Sequence, residues 1–175
     1  MLIALLLVAL AIAALLACAA SRPSTFRIER ATRIEAPVPV VGALIDDFRE
    51  WKKWSPWEKL DPGLERRFSG NPAGLGAIYE WQGKGQAGQG RMEITSVTTA
   101  AITIRLDFIK PFAAHNTAEF RLTAVGDATD VDWAMFGPRP FAMKVFSLFM
   151  DMDALVGKDF EAGLATMKQV AERAA

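Results

Sequence analysis

From Leu64 to Met135 the apolar residues of this chain fall on every second position, in run after run. Ala77, Tyr79 and Trp81 share one phase, as do Met92 and Ile94, and then Ile102, Ile104, Leu106 and Phe108. Asn116, Ala118, Phe120 and Leu122 form the next set, followed by Val131, Trp133 and Met135. Glu80, Glu93, Arg105, Glu119 and Asp132 occupy the opposite phase. A period of two sends successive side chains to opposite faces of a strand. Clean alternation therefore means one wet face and one dry face, the mark of an antiparallel sheet. Turn signals separate the runs at Gly83 to Gly90, at Lys110-Pro111 and at Gly126-Asp127. Ser24 to Glu35 alternates as well, so about seven strands are expected. A dry face of this extent has to be covered.

The C-terminal stretch supplies the cover. Phe146, Phe149, Met152, Val156, Phe160, Leu164, Met167 and Val170 recur every three or four residues, the spacing of one helical stripe. As a single rod from Phe141 to about Ala174 it runs roughly 50 Å, with a bend expected at Gly157 or Gly163. Gly137-Pro138-Arg139-Pro140 ends the strand before it. A shorter amphipathic helix is expected over Val40 to Phe48. Strands in series bracketed by a short and a long helix make an α+β domain over 24–175.

Residues 1–21 form a separate segment. Leu2 to Ala20 is 19 residues without a charge, polar only at Cys18. As a helix that is roughly 28 Å, against a hydrocarbon thickness of about 30 Å. No Lys or Arg precedes it, and a signal-peptide core is usually shorter, so a retained single-pass membrane anchor is the expectation. Two alternatives stand beside it: a lipoprotein signal at Leu15-Leu16-Ala17-Cys18, and ordinary cleavage near Ala17-Cys18-Ala19. Arg22, Arg27, Arg30 and Arg33 favour a cytoplasmic domain, whereas a one-residue tail before an apolar segment favours secretion, so the side of the membrane stays open.

Composition narrows the chemistry. Twenty acidic residues balance twenty basic ones, without the basic excess that a nucleic-acid partner usually requires. One His and one Cys leave no metal cluster of that type. Gly83-Lys84-Gly85-Gln86-Ala87-Gly88 spells a dinucleotide fingerprint but precedes a strand rather than a helix, so it reads as a hairpin loop. His115 falls on the wet side of its strand, which disfavours a buried base. Asp151 and Asp153 read as solvated helix charges. No cofactor, metal or catalytic residue is assigned.

Three features point to a ligand instead. Glu50 to Glu58 holds Trp51, Trp54 and Trp57, which either wedge a corner of the core or line a pocket mouth. Asn116 lies in the dry phase and must pair with a strand-end backbone group or a ligand. Five of seven methionines lie between Met135 and Met167, and their adaptable thioethers suit a cavity or a filled core equally.

The element order, with Trp54-Ser55-Pro56-Trp57-Glu58, Gly76-Ala77-Ile78-Tyr79-Glu80-Trp81, Pro111-Phe112 and Met150-Asp151-Met152-Asp153, resembles the SRPBCC superfamily. The likeness is to bacterial proteins described as polyketide cyclase/dehydrase and lipid-transport-like, of the START and birch-pollen-allergen helix-grip fold. It covers Ser24 to Ala174 and implies a curved antiparallel sheet gripping the C-terminal helix around an apolar cavity. Nothing matches the iron ligands of the ring-hydroxylating branch. The candidate ligand-binding residues are Trp54 and Trp57 before the sheet, then Tyr79, Trp81, Met92, Ile104, Leu106, Asn116, Phe120, Trp133 and Met135 on the strands, and Met152, Val156 and Phe160 on the helix. A fold of this kind hosts carriers and enzymes alike. The leading expectation is a membrane-tethered binder or transporter of a hydrophobic small molecule such as a lipid, isoprenoid or polyketide-like compound. A cyclase or dehydratase in the same cavity is the second, and an interaction module with a filled core the third.

Overall fold

The computed structural model describes residues 1–175, the side chain of Gln86 apart. Helix α1 (Leu2–Ser21) leads into strand β1 (Thr25–Ile34) and helix α2 (Val38–Asp46). Two single-turn 3-10 helices, Glu50–Lys53 and Pro56–Lys59, follow. Then come β2 (Glu65–Gly70), β3 (Ala77–Gln82), β4 (Gln89–Val97), β5 (Ala101–Lys110), β6 (Ala114–Val125) and β7 (Ala128–Pro138), and finally α3 (Phe141–Phe146) and α4 (Met152–Glu172). The seven strands form one antiparallel sheet in the order β1-β7-β6-β5-β4-β3-β2. Six of them meander, and only β1 crosses over to close the far edge against β7.

The alternation places the faces as read. Ile94, Ile104, Phe120, Val131 and Trp133 are buried on the inner face. Glu80, Glu93, Arg105, Glu119 and Asp132 all retain solvent contact on the outer one. There Glu93 pairs with Arg91 at 2.8 Å, and Glu119 with Arg121 at 3.0 Å. Such surface pairs contribute at most about 1 kcal/mol each, so inner-face burial, not outer-face charge, holds the register. The G-x-G-x-x-G run is the β3–β4 hairpin loop, closed by the Gly83 N–H donating to Gly88 O at 2.7 Å. His115 is exposed, with Nδ1 2.7 Å from Asp107 Oδ1 on the wet face.

The C-terminal rod is two helices rather than one. The chain leaves α3 after Phe146 and re-enters helix at Met152, so the break falls at 147–151 and not at either glycine. Asp151 sets the new start: its carboxylate accepts from the Ala154 N–H at 3.1 Å, satisfying one of the free donors of a first helical turn. The two glycines serve close approach instead. Arg30, an inner-face residue of β1, crosses α4 directly over Gly157 and binds Glu161 at 2.8 Å and Asp153 at 3.1 Å. Gly163 lets α4 settle on Trp133, where a Cβ would lie 2.9 Å from the ring. Below these contacts Phe160, Leu164, Met167 and Ala171 are buried, and Glu172 reaches the Glu35 N–H at 2.9 Å. Helix α4 thus runs along β1 with its first turn at the Thr25 end of the sheet.

Helix α1 stands outside this core. It is long and apolar enough to cross a membrane, and among its residues only Ala19 is buried. Its main contact with the rest of the chain is made to α3.

Candidate functional site

Between the inner face, α4 and the two tryptophan-bearing turns lies a cavity of about 220 Å³. That exceeds the roughly 150 Å³ apolar cavity known to admit benzene in another protein. Local sequence builds the wall on the turn side. Pro56 ends the Glu50–Lys53 turn and starts the next, so Trp51 and Trp54 point into the core while Trp57 is redirected over the opening. Trp51 Nε1–H donates to Ile45 O at 3.0 Å and Trp54 Nε1–H to Leu44 O at 2.7 Å, tying both indoles to the end of α2.

Trp133 of β7 is the hinge of the aromatic packing. Its ring stacks on Phe160 of α4 with centroids 4.0 Å apart and on Phe120 at 5.0 Å. Trp54 and Trp57 meet it edge-on at 5.4 and 5.5 Å. Its Nε1–H is buried and has no acceptor among the described residues, although Trp133 borders the cavity. Trp81 packs against Gly90, where a Cβ would approach the ring to 2.3 Å, and its Nε1–H donates to Ala87 O at 3.0 Å.

One polar cluster interrupts the apolar wall. The Glu58 side chain is 7% exposed; Oε2 accepts from Arg66 Nε at 2.6 Å and Oε1 from the Tyr79 hydroxyl at 2.5 Å. Burial first, and then the carboxylate of Glu58, push the Tyr79 phenol well above its usual range. The unfolded chain can ionise this phenol near pH 10 while the folded one cannot. The unfolded state then binds fewer protons, so the stability owed to Tyr79 is complete below pH 10 and falls as pH rises further. Denaturant titrations at pH 9 and pH 11 should show this loss, and Tyr79→Phe should reduce it; an equal loss in the variant would clear Tyr79 of the effect.

Of the fourteen residues singled out in the sequence, the cavity wall contains Trp57, Tyr79, Trp81, Met92, Leu106, Trp133, Met135, Val156 and Phe160. Trp54, Ile104 and Phe120 sit behind it, fully buried. Asn116 lies against Gly137 of β7, its Oδ1 2.4 Å from where a Cβ would be, and Met152 is at the start of α4; neither borders the space. The wall also holds Trp51, Ser55, Glu58, Leu60, Leu64, Ala87, Phe108 and Ala118. Phe108 and Ala118 share the dry phase and were legible by it. Glu58 and Ala87 were not, because loop residues carry no period.

The family model for polyketide cyclase / dehydrase and lipid transport matches residues 25–172. The chain belongs to that family. Its helix-grip fold is shared with solved structures of low identity. An aromatase/cyclase named Zhui from a Streptomyces species is similar with TM-score 0.61 and 16% identity, over 85% of this chain and 94% of that one. Major latex-like protein 151 from Panax ginseng gives 0.59 and 10%, over 85% and 99%. The Aha1 dimer from Colwellia psychrerythraea gives 0.58 and 13%, over 84% and 96%. No curated protein matches the chain. At these identities the neighbours speak for the fold alone, and the family for the general kind of ligand.

Proposed function

We propose that this family member binds a hydrophobic small molecule in the cavity between the sheet and α4, and that α1 tethers it to a membrane. The observation that carries the reading is the cavity itself: about 220 Å³ of space walled by Trp57, Trp81, Met92, Leu106 and Phe160. A filled core, which the interaction-module reading requires, would leave no such space. A few polar groups on an otherwise apolar wall is the usual make-up of a small-molecule site. Ser55, Glu58 and Trp133 border this one, and the Trp133 N–H is buried without an acceptor among the described residues, so an apolar molecule carrying an oxygen suits the lining better than a pure hydrocarbon. Membrane tethering rests on the length and apolarity of α1 and on the seating of its last turn, at Ala19, against the folded chain. The Glu58–Tyr79 pair favours a second reading, a cyclase or dehydratase using these groups as acid and base. Binding is preferred, because both oxygens of Glu58 are already engaged by Arg66 and Tyr79.

Ala118, in the middle of β6, is the place to test it. An indole there fills the cavity from the sheet side without touching α4's salt bridges. Full-length chain in detergent micelles should show saturable energy transfer from its tryptophans to cis-parinaric acid. Ala118→Trp should lose that transfer at least tenfold while keeping its circular dichroism spectrum. Equal transfer in a folded Ala118→Trp, or none in the unaltered chain, would remove the cavity as a binding site.

A further inference from the structure

The exposed aromatic side chains are not scattered. Phe112 (82% exposed) lies in the β5–β6 turn, and Phe149 (74%) in the link between α3 and α4. Phe141, Phe146, Met150 and Leu155, on α3, the link and the first turn of α4, are also exposed. All six belong to one end of the sheet. Thr25 pairs with Pro138 there, and the Arg139 N–H donates to Ser24 O at 2.6 Å, so β1 begins where β7 ends. The β5–β6 hairpin turns at the same end, beyond the Phe108–Ala114 pair. The opposite end exposes Leu75, Val97 and Val125, and the one exposed phenylalanine away from the patch, Phe68 on edge strand β2, is only 36% exposed and lies under the Arg49 guanidinium. Contiguous exposed apolar surface of this kind marks a site that something covers.

Two further features of this end say what covers it. The cavity opens towards this end: among the wall residues that retain solvent contact, Leu60, Trp81, Ala87 and Phe108 lie around the β3–β4 and β5–β6 hairpins and Val156 near the start of α4, with Trp57, Glu58 and Met135 further in. Helix α1 also leaves the fold here, its last turn against α3, so the apolar surface of α1 and that of α3 are continuous. Charge agrees. Arg22, Lys110, Arg139 and Lys144 border the patch and make no ion pair among the described residues. The acids nearby are taken, Asp153 by Arg30, Asp107 by Arg105 and Asp151 by the cap of α4.

We infer that this end of the domain is a bilayer-docking surface for membranes with anionic headgroups. Phe112, Phe149, Met150 and Leu155 enter the boundary between headgroups and acyl chains, and the four cations lie among the phosphates. The cavity mouth then faces lipid, and an apolar ligand passes between cavity and bilayer without crossing water. This rests on the tethered binding function proposed above, and adds to it the route of entry.

Spin labels test the geometry on the full chain reconstituted in phosphatidylcholine–phosphatidylglycerol vesicles. Single cysteines replace Phe112, Phe149 or, at the opposite end, Asp127, each in a Cys18→Ser background. Labels at 112 and 149 should be relaxed more by oxygen than by a water-soluble nickel chelate, and the label at 127 the reverse. Equal behaviour of all three, or shielding of 112 and 149 from both reagents as by a second copy or another protein, overturns docking. Exchange gives a second readout. Phe112→Glu/Phe149→Glu should saturate with cis-parinaric acid in micelles like the unaltered chain, yet deliver it to vesicles at least tenfold more slowly. Unchanged delivery overturns the route. An unaltered chain that never binds cis-parinaric acid would sink the cavity reading instead, and the label depths would still decide the docking.

Discussion

Trp133→Ala is expected to lower the unfolding free energy by about 3–5 kcal/mol, the range for losing a large buried aromatic ring. Trp133 is 1% exposed and is the contact through which β7, α4 and both tryptophan-bearing turns meet. Its removal leaves Phe160 and Phe120 without the ring they stack on, and Gly163 of α4 facing a void. Leu106→Ala provides the contrast. Leu106 borders space that is already open, so its truncation creates little new cavity and should cost well under the 2–5 kcal/mol usual for a packed leucine. Denaturant unfolding of the full chain, followed by circular dichroism, measures both. Equal losses for the two variants would mean that the cavity is collapsed in solution.

The second large effect should come from Glu58→Ala. That change strands the Tyr79 hydroxyl in a buried site and frees Arg66 from its carboxylate. Leaving a buried donor unpaired costs about 1–3 kcal/mol, and a bond to a charged group contributes about 1.5–3. A net loss of about 3 kcal/mol is expected, near the foot of the combined range because Arg66 is partly solvated. The pairing is specific, so a double-mutant cycle with Tyr79→Phe should show coupling: much of the Glu58→Ala cost disappears once the hydroxyl is gone. Additive losses would place the carboxylate's contribution elsewhere. Stability that is insensitive to Glu58→Ala would leave the cluster free for chemistry and raise the enzyme reading above the carrier.

Much of this was legible one residue at a time. Period-two alternation assigned the inner and outer faces from Ala77 to Met135, because a strand offers each side chain only two directions. Pro56 between Trp54 and Trp57 announced the change of direction that separates a core indole from one at the opening. The stripe from Val156 to Val170 announced the cover helix. The break at 147–151 was less visible, since Phe146, Phe149 and Met152 continue the helical spacing across it; the Asp151 cap decided against the rod, and exposed rings at 146 and 149 are the result.

The sequence by itself determined an α+β domain with a one-sided sheet, a helix to cover it and a separate apolar segment at the N-terminus, because all three follow from local periodicity. Tertiary structure decided which dry-phase side chains meet and which leave a gap. Ile104 and Leu106 are indistinguishable in pattern, yet one is sealed in the core and the other borders the cavity. The same is true of polar groups. Glu58 lies in a turn, and only the approach of β2 and β3 brings Arg66 and Tyr79 to its two oxygens. Phase says which way a side chain points, but whether it finds a neighbour depends on how far apart the sheet and α4 are held, and that distance is set by bulky rings such as Trp133 far away in the sequence.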